Sequence, residues 1–283
     1  MINGILNVYK EPGFTSHDVV AKLRGIIKQK KIGHTGTLDP QATGVLVVLL
    51  GRACKALPYL SGKTKEYIAE LTLGTKTDTG DIWGKPLETR PEIKLEPGQI
   101  KAVLNSFLGV SMQLPPMVSA IKKDGRKLYE YAREGVEVER EKRPVEIIEI
   151  ELLQVTASIR FRVVCSNGTY VRTLCEDIAE KLGTIGTMSS LIRTRACGYT
   201  LDQCQPLDEV KQGHFQLVSI YDGIASQYPL IEAEPAQIPD IKNGKRLRLD
   251  STEPVVGVVS GNQVLAMMER QEDGIYRCLR GLW

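Results

Sequence analysis

A six-residue aliphatic run, Val45 to Leu50, directly follows a glycine-rich loop and restricts the possible folds of this chain more strongly than any other segment. A run of this length between glycines predicts a buried β-strand, because helices usually need about ten residues or more. The loop before it carries glycines at 33, 36 and 44. Since catalytic residues concentrate on loops held by a rigid scaffold, residues 33–44 are the candidate catalytic segment.

Hydrophobic periodicity predicts the elements around this strand. Gly4 to Lys10 is predicted to form a strand, and Thr15-Ser16-His17-Asp18 a capping box that starts a helix. The apolar face of this helix comprises Val19, Val20, Leu23, Ile26 and Ile27. The later predictions are a strand with Tyr67, Ala69, Leu71 and Leu73 on one face, a helix with Ile100, Val103, Leu104, Phe107 and Leu108 that ends at Gly109, paired strands at 145–155 and 158–166, a turn at Asn167-Gly168, and a helix over 170–182 capped by Thr169.

Composition divides the chain into a large domain, residues 1–229, and a small β-rich unit, residues 230–283. The stretch from Pro229 to Pro239 is rich in proline and is interpreted as a linker. Residues 113–144 are interpreted as an insertion, because the segment from Lys122 to Arg143 holds eight basic and six acidic residues.

The overall composition excludes several classes of protein. Six cysteines without a C-x-x-C pair indicate neither a zinc ribbon nor a disulfide framework, and three histidines without metal-ligand spacing indicate no metal centre. The longest aliphatic run is far below the roughly 20 residues of a membrane-spanning helix, and the N-terminus lacks an apolar signal core. We therefore expect a cytoplasmic protein with no membrane partner.

The net charge of +3 does not by itself indicate a polyanionic partner, but the basic residues are unevenly distributed. Two patches without acidic residues consist of Lys22, Arg24, Lys28, Lys30 and Lys31, and of Lys242, Lys245, Arg246 and Arg248. Both patches can follow a phosphate backbone, and both can equally be solvated surface.

The loop reads Gly-His-Thr-Gly-Thr-Leu-Asp-Pro-Gln-Ala-Thr-Gly over residues 33–44 and presents an imidazole, His34, and a carboxylate, Asp39, five residues apart. Two interpretations are open on local sequence alone. Asp39 is either a reactive carboxylate or a cap of the turn ahead of Pro40.

This loop resembles the signature of TruB-type pseudouridine synthases, which convert the uridine at the T-loop position (55) of tRNA to pseudouridine. The resemblance covers roughly residues 3 to 210, and its further blocks follow in the family's order. They are Lys65-Glu66-Tyr67, residues 77–81 (TDTGD), 115–120 (PPMVSA), 127–133 (KLYEYAR), 167–172 (NGTYVR) and 191–194 (LIRT).

The resemblance implies a role for each site residue. Asp39 would be the nucleophile, Arg172 would pair with it, and Tyr67 would lie against the target base and assist proton transfer. The residues implied to bind the flipped nucleotide are His34, Tyr67, Tyr170, Leu191, Lys10 and Lys65. Isomerisation of a base involves no net redox change or hydrolysis, so no metal or other cofactor is expected.

The implied substrate is the T-arm stem-loop of tRNA, from which the enzyme would flip the uridine at a cost of about a few kcal/mol. The insertion would close over this RNA like a thumb. Its candidate phosphate contacts are Lys122, Lys123, Arg126 and Lys127, with a solvated, acid-balanced surface as the alternative.

The resemblance also implies an α+β catalytic domain built on a mixed, largely antiparallel sheet, with the thumb-like insertion and a small β-rich, PUA-like C-terminal domain. We expect a monomer. Two alternatives remain: a pseudouridine synthase acting on another RNA, such as the guide-dependent relatives, and an RNA-binding chaperone that folds tRNA. Asp39, Tyr67 and Arg172 together argue against the chaperone, because binding alone needs no buried carboxylate.

Overall fold

A computed structural model describes residues 1–283, and the chain divides into two compact units. Unit 1 comprises Met1–Gly62 and Arg195–Trp283, and unit 2 comprises Lys63–Thr194. No helix in either unit combines the length and the apolar character that crossing a membrane requires.

The chain alternates between strands and short helices. The strands are β1 (Gly4–Lys10), β2 (Ile32–His34), β3 (Thr43–Leu50), β4 (Thr64–Leu73), β5 (Thr75–Thr77), β6 (Pro86–Thr89), β7 (Gly109–Gln113), β8 (Lys122–Lys123), β9 (Arg126–Lys127), β10 (Arg143–Val155), β11 (Ile159–Ser166), β12 (Gly186–Ala196), β13 (Tyr199–Thr200), β14 (Leu230–Glu232), β15 (Val255–Ser260), β16 (Gln263–Arg270) and β17 (Tyr276–Gly281). The α-helices are α1 (Ser16–Ile27), α2 (Leu57–Leu60), α3 (Pro97–Asn105), α4 (Leu128–Arg133), α5 (Val171–Lys181), α6 (Leu207–Lys211), α7 (Ile220–Ala225) and α8 (Ile238–Lys242). Short 3₁₀ helices lie at Gly51–Ala56, Leu201–Gln203 and Pro235–Gln237.

Strand β3 is the centre of unit 1, as the aliphatic run predicted. It pairs antiparallel with β1 and with β2, and its residues from Val45 to Leu50 are all fully buried. Because successive side chains of a strand point to opposite faces, this strand serves two cores. One of them contains Val45, Val47 and Leu49, and the other contains Leu46, Val48 and Leu50.

Helix α1 covers the second of these cores. Its predicted capping box is confirmed, since the Thr15 side chain accepts a hydrogen bond from the Asp18 amide and Asp18 accepts one from the Thr15 amide. Val19, Val20 and Leu23 are buried, which confirms the predicted apolar face. The helix ends at Lys28, a C-cap in the left-handed region with φ of 56°.

The C-terminal part of unit 1 is a four-stranded sheet in the order β14-β15-β16-β17, in which β14 is parallel to β15 and the other pairs are antiparallel. The predicted linker from Pro229 to Pro239 is wrong. Its residues Leu230 to Glu232 form β14, because two apolar residues there pair with the strand Val255–Ser260 instead of remaining in solvent. Val259, Val264 and Met267 pack in the same core as Val45. The boundary between residues 229 and 230 stays a prediction.

Unit 2 is built on strands in the order β12-β4-β11-β10-β7, with β4, β11, β10 and β7 pairing antiparallel along it. Tyr67, Ala69 and Leu71 on β4 are buried, as their alternation predicted. The predicted pairing of the two long strands before the Asn167-Gly168 turn is confirmed as β10 and β11. The α+β class, with a mixed sheet and a small β-rich C-terminal part, is therefore confirmed.

The predicted insertion leaves the sheet and returns to it at neighbouring positions. Gln113, the last residue of β7, pairs directly with Arg143, the first residue of β10. The chain between them forms a two-stranded hairpin, β8 and β9, followed by the short helix α4. The excursion is therefore closed at its base by backbone pairing.

Two predicted helix ends differ from the structure. Helix α3 ends at Asn105 rather than at Gly109, where β7 begins, and Leu108 of the predicted apolar face is 49% exposed. Helix α5 has Tyr170 as its N-cap without a side-chain cap, and the Thr169 hydroxyl instead donates to the Ser166 carbonyl within the turn. After α3, Gly109 pairs with Ile147 of β10, whereas at α5 the predicted cap residue is engaged within its own turn.

Candidate active site

The glycine-rich loop, residues 33–44, belongs to unit 1 and is anchored at both ends on the central strand. His34 is the last residue of β2 and pairs with Val48, and the Thr35 amide donates to the Val47 carbonyl at 3.0 Å. Strand β3 starts at Thr43, so the loop begins on β2, which is paired with β3, and ends in β3 itself. This arrangement confirms the predicted anchoring of the loop by the central strand.

The middle of the loop is held from beneath by Lys10, a fully buried lysine at the end of β1. Its ammonium nitrogen Nζ donates to the Pro40 carbonyl at 2.8 Å and to the Glu11 carbonyl at 3.0 Å. The Pro40 carbonyl also accepts from the Gly13 amide at 3.0 Å. Because Pro40 follows Asp39, these bonds fix the backbone beside the candidate nucleophile. The predicted contact of Lys10 with substrate stays a prediction.

The start of the loop is held by a thiol. Thr35 Oγ1 and Cys197 Sγ are 3.2 Å apart, and the same sulfur donates to the Ser61 carbonyl at 3.2 Å. Cys197 is buried and lies in the left-handed region with φ of 56°, a conformation that costs energy for a residue other than glycine. Gly62 has no side chain to obstruct it, whereas a Cβ there would lie 2.9 Å from Cys197 Cα.

Asp39 and His34 are both half-buried, between the fixed points of this loop. The Asp39 carbonyl accepts from the Ala42 amide at 3.1 Å, which makes a turn around Pro40. The turn that the simpler interpretation of Asp39 requires is therefore present. It uses the backbone carbonyl of Asp39, however, so turn formation by itself does not explain why a carboxylate stands at this position.

In unit 2, strand β4 carries Lys65, Glu66 and Tyr67. Tyr67 is 7% exposed, and Glu66 faces the other side of the strand. The Glu66 carboxylate accepts from Arg162 Nη2 at 2.8 Å and from the Thr194 hydroxyl at 2.7 Å. The strand that presents Tyr67 is therefore fixed by polar contacts on its opposite face.

Arg172 lies in the first turn of α5, as predicted, and is 4% exposed. Its Nη1 donates to the Thr79 carbonyl at 2.7 Å and its Nη2 to the Val118 carbonyl at 2.8 Å. These two carbonyls belong to two of the sequence blocks that carry the family resemblance. The guanidinium therefore joins segments that are nearly forty residues apart in the chain. Burial raises the pKa of the neighbouring Glu176 carboxyl, an effect that nearby Lys76 and Arg172 partly offset.

Tyr170 and Leu191, the predicted pocket residues, also lie in unit 2. Gln113 makes two bonds to the backbone of Tyr170: its Oε1 accepts from the Tyr170 amide at 2.8 Å and its Nε2 donates to the Tyr170 carbonyl at 3.0 Å. Gln113 thus fixes the backbone of the residue from which α5 starts. Leu191 lies on β12 and is 7% exposed.

The candidate phosphate contacts in the insertion are engaged mainly with the insertion's own residues. Arg126 pairs with Glu134 and stacks over the Tyr131 ring at 4.5 Å, and Lys127 lies 5.3 Å from the Tyr129 ring centroid. Lys123 donates to the Glu139 carbonyl, whereas Lys122 is exposed. In unit 1, both basic patches found in the sequence are exposed.

Sequence reasoning missed three buried polar residues that the structure brings into these regions. Ser16 binds the loop backbone at Leu38, Gln113 holds Tyr170, and Arg193 is 1% exposed on β12. Ser16 lay inside the recognised capping box and Arg193 inside a recognised block, but neither position indicated a partner. Gln113 gave no signal at all, because its partner is 57 residues away.

Comparison with known proteins shows the family to which the chain belongs. A family model described as TruB family pseudouridylate synthase (N terminal domain) matches residues 24–171, and one described as tRNA pseudouridylate synthase B C-terminal domain matches residues 172–218. Pseudouridylate synthases isomerise uridine, so the class is that of an isomerase. The chain belongs to the TruB family of pseudouridylate synthases.

Two relatives illustrate the similarity. A protein of Streptococcus thermophilus (strain CNRZ 1066) named tRNA pseudouridine synthase B is 43% identical over 282 residues, which cover 96% of each chain. A protein of the same name from Bacillus subtilis (strain 168) is 50% identical over 218 residues, which cover 75% of this chain and 71% of that protein.

Solved structures share the fold. A Cbf5-Nop10-Gar1 complex matches with a TM-score of 0.73 and 24% identity over 95% of this chain and 78% of that chain. An archaeal box H/ACA sRNP Nop10-Cbf5 complex matches with a TM-score of 0.72 and 21% identity over 99% of this chain and 86% of that chain. At these identities the likeness concerns the fold alone.

Proposed function

We propose that this protein converts the uridine at the T-loop position (55) of tRNA to pseudouridine, with the Asp39 carboxylate as nucleophile and without a metal or nucleotide cofactor. Membership of the TruB family and the name of the relatives, tRNA pseudouridine synthase B, support the reaction and the class of RNA. The T-arm stem-loop is the part of tRNA that we expect the protein to bind.

The reaction balances with the substrate alone. The bond between C1′ of the ribose and N1 of uracil breaks, a bond between C1′ and C5 forms, and the proton lost from C5 is balanced by one gained at N1. No oxidant, water or nucleotide is consumed. A carboxylate that attacks and then leaves provides covalent catalysis of this kind.

The observation that carries the assignment of Asp39 is the way in which its loop is held. A buried ammonium group fixes the following residue, a buried strand anchors both ends, and the carboxylate itself is half-buried. Precise support from buried polar groups is what a reacting side chain needs, because a misplacement of about 1 Å can cost about 100-fold in rate. A turn on the surface would not need it.

Arg172 and Tyr67 are proposed to act in the same active site as Asp39. A guanidinium paired with the carboxylate would keep it ionised in a pocket poor in water. Tyr67 would stack on the flipped uracil and assist proton transfer, and His34, Tyr170, Leu191, Lys10 and Lys65 would complete the nucleotide-binding set. The firm backbone bonds of Arg172 support this role, since they fix the guanidinium before substrate binds.

The test is the substitution Asp39→Asn, assayed on a T-arm stem-loop by release of tritium from C5 of the target uridine. The swap preserves shape and removes the charge, so we expect pseudouridine formation to be abolished while RNA affinity stays within about tenfold. Asp208→Asn, at an exposed aspartate on α6, is the matched control and should retain wild-type turnover. Retained turnover in Asp39→Asn would refute the assignment.

The same assay separates the alternatives. A protein acting on another RNA would leave the T-arm stem-loop unmodified and modify a different RNA in a substrate panel. A chaperone without catalytic activity would release no tritium, and its wild-type and Asp39→Asn forms would fold tRNA equally well. We also propose that the protein acts as a monomer in the cytoplasm. Sedimentation of the protein with and without tRNA measures its oligomeric state.

A further inference from the structure

We propose that Ser16 is a positioning residue for Asp39, holding the loop backbone at the residue that precedes the nucleophile. This inference rests on the proposed function, because it assumes that Asp39 reacts. It concerns a residue whose sequence context, a helix capping box, indicated only a role in starting α1.

The geometry is that of a hydroxyl bonded twice to one residue. Ser16 Oγ accepts a hydrogen bond from the Leu38 amide at 2.8 Å and donates one to the Leu38 carbonyl at 3.3 Å. Ser16 is 1% exposed and Leu38 is 3% exposed, so water does not reach these groups freely. The peptide groups on both sides of Leu38 are therefore fixed, and the second of them leads directly into Asp39.

The hydroxyl of Ser16 is not needed by its own helix. The N-cap of α1 is Thr15, whose side chain satisfies the Asp18 amide. Ser16 is the first residue inside the helix, a position where alanine is acceptable. Its polar atom is thus available for the loop, and the helix serves as a rigid support from which the hydroxyl reaches Leu38.

Two clamps then flank the nucleophile on the chain. Ser16 holds Leu38 on one side, and Lys10 holds the Pro40 carbonyl on the other at 2.8 Å. Leu38 is buried and Pro40 is exposed, and the side chain of Asp39 between them is half-buried. Fixing both neighbours restricts the directions in which the carboxylate can point, which is what orientation of a nucleophile requires.

The experiment compares Ser16→Ala with Thr15→Ala in the full-length protein. Both substitutions remove one hydroxyl from the start of α1, but only the first touches the loop. Kinetics on a T-arm stem-loop, RNA affinity and thermal unfolding are measured for both. We expect Ser16→Ala to lower kcat by about 10-fold to 100-fold with RNA affinity within about threefold, and Thr15→Ala to lower the melting temperature without changing kcat.

Hydrogen exchange of a peptide covering the loop provides a readout that does not depend on turnover. Ser16→Ala should exchange faster at Leu38 and its neighbours, while Thr15→Ala should leave the loop protected. If Ser16→Ala has a kcat within about twofold of wild type, the positioning role is refuted, whatever its melting temperature. Asp39→Asn is tested in the same experiment to distinguish failure of the proposed function from failure of the Ser16 role. If Asp39→Asn retains turnover, the proposed function is refuted. If Asp39→Asn loses turnover and Ser16→Ala retains it, only the role of Ser16 is refuted.

Discussion

The glycine-rich loop of unit 1 and the insertion of unit 2 are both irregular segments that leave a sheet and return to it, yet they are held in opposite ways. The loop is fixed by buried polar groups, among them a fully buried lysine and a serine that is 1% exposed. The base of the insertion also has a buried contact, from Arg172 to the Val118 carbonyl, but its outer part is held by exposed pairs such as Arg126 with Glu134, whose side chains are 44% and 54% exposed. Buried bonds are costly to break and exposed ones are weak.

The difference indicates what each segment is suited for. A segment that positions a reacting group benefits from bonds that no water can replace. A segment expected to close over RNA, as the family resemblance implies for the insertion, would exchange its own contacts for phosphate contacts. Arginines and lysines stacked on tyrosines in the insertion can change partners at little cost, since exposed contacts of this kind contribute on the order of 0.5–1 kcal/mol.

Among the variants that test how the two segments are held, the largest effect is expected for Lys10→Met, which keeps the length of the side chain and removes the ammonium beneath the loop. The Pro40 and Glu11 carbonyls would each lose a buried donor, and the loop would shift. We expect kcat to fall about 100-fold. Single-turnover kinetics and RNA affinity measure this, with Lys63→Met, at an exposed lysine, as the control. A variant with unchanged kcat would show that the loop does not need its buried support.

The second prediction concerns pH and the scaffold under the insertion. Burial raises the pKa of the Cys165 thiol from 9.0 to about 11, and Cys165 lies on β11, paired with Ile147 of β10. The folded state therefore holds this proton more tightly than the unfolded state. The contribution of the protonated Cys165 thiol to the free energy of unfolding is therefore fully present below about pH 9. It is lost as the pH rises towards 11, and it amounts to about 2–3 kcal/mol.

Urea unfolding at pH 8, 9, 10 and 11 tests this expectation, and Cys165→Ala should flatten part of the decline. Burial also raises the pKa of Tyr199 in unit 1 to about 12, which acts in the same direction at higher pH. If the wild-type protein and Cys165→Ala lose stability in parallel, the thiol proton is not the cause.

The third prediction tests the thiol contact at the start of the loop. Thr35→Val keeps the shape of the side chain and removes the hydroxyl that lies 3.2 Å from Cys197 Sγ. We expect the free energy of unfolding to fall by about 1 kcal/mol. In a double-mutant cycle with Cys197→Ala, the two effects should be less than additive, because both variants remove the same contact. Full additivity would mean that the two side chains do not interact.

The smallest effect on stability is expected in the insertion. Arg126→Ala should change the free energy of unfolding by less than about 0.5 kcal/mol, because its ion pair is exposed. Its effect should appear in RNA binding instead, as a decrease of about 1 in the slope of log affinity against log salt. Arg90→Ala is the matched control, since Arg90 forms a similarly exposed pair with Glu88 outside the insertion. Equal slopes for both variants would remove Arg126 from the RNA contacts.

Local patterns predicted much of the fold well. The capping box of α1, the buried strand β3 and the alternating face of β4 follow from sequence because each depends on residues within one turn or one pleat of each other. The ends of α3 and α5 were predicted less well. The start of α5 is set by Gln113, a residue distant in sequence, and no local signal can report such a partner.

The same limit applies to the C-terminal part of the chain. The proline-rich composition of 229–239 suggested a linker, yet Leu230 to Glu232 form a strand because Val255–Ser260 offers its edge to them. A propensity scale weighs what a segment does alone. The pairing of residues 230–232 with Val255–Ser260 outweighs the preference of the isolated segment, so the segment forms a strand.

The types and order of residues were enough to identify the family and to indicate Asp39 as the candidate nucleophile, because a sequence motif carries both. The way in which the loop is held, by Lys10, Ser16 and Cys197, follows from the folded chain and not from the motif. Their partners lie 22 to 162 residues away. Hydrogen bonds depend on distance and angle in space, and a chain shows them only once it has folded.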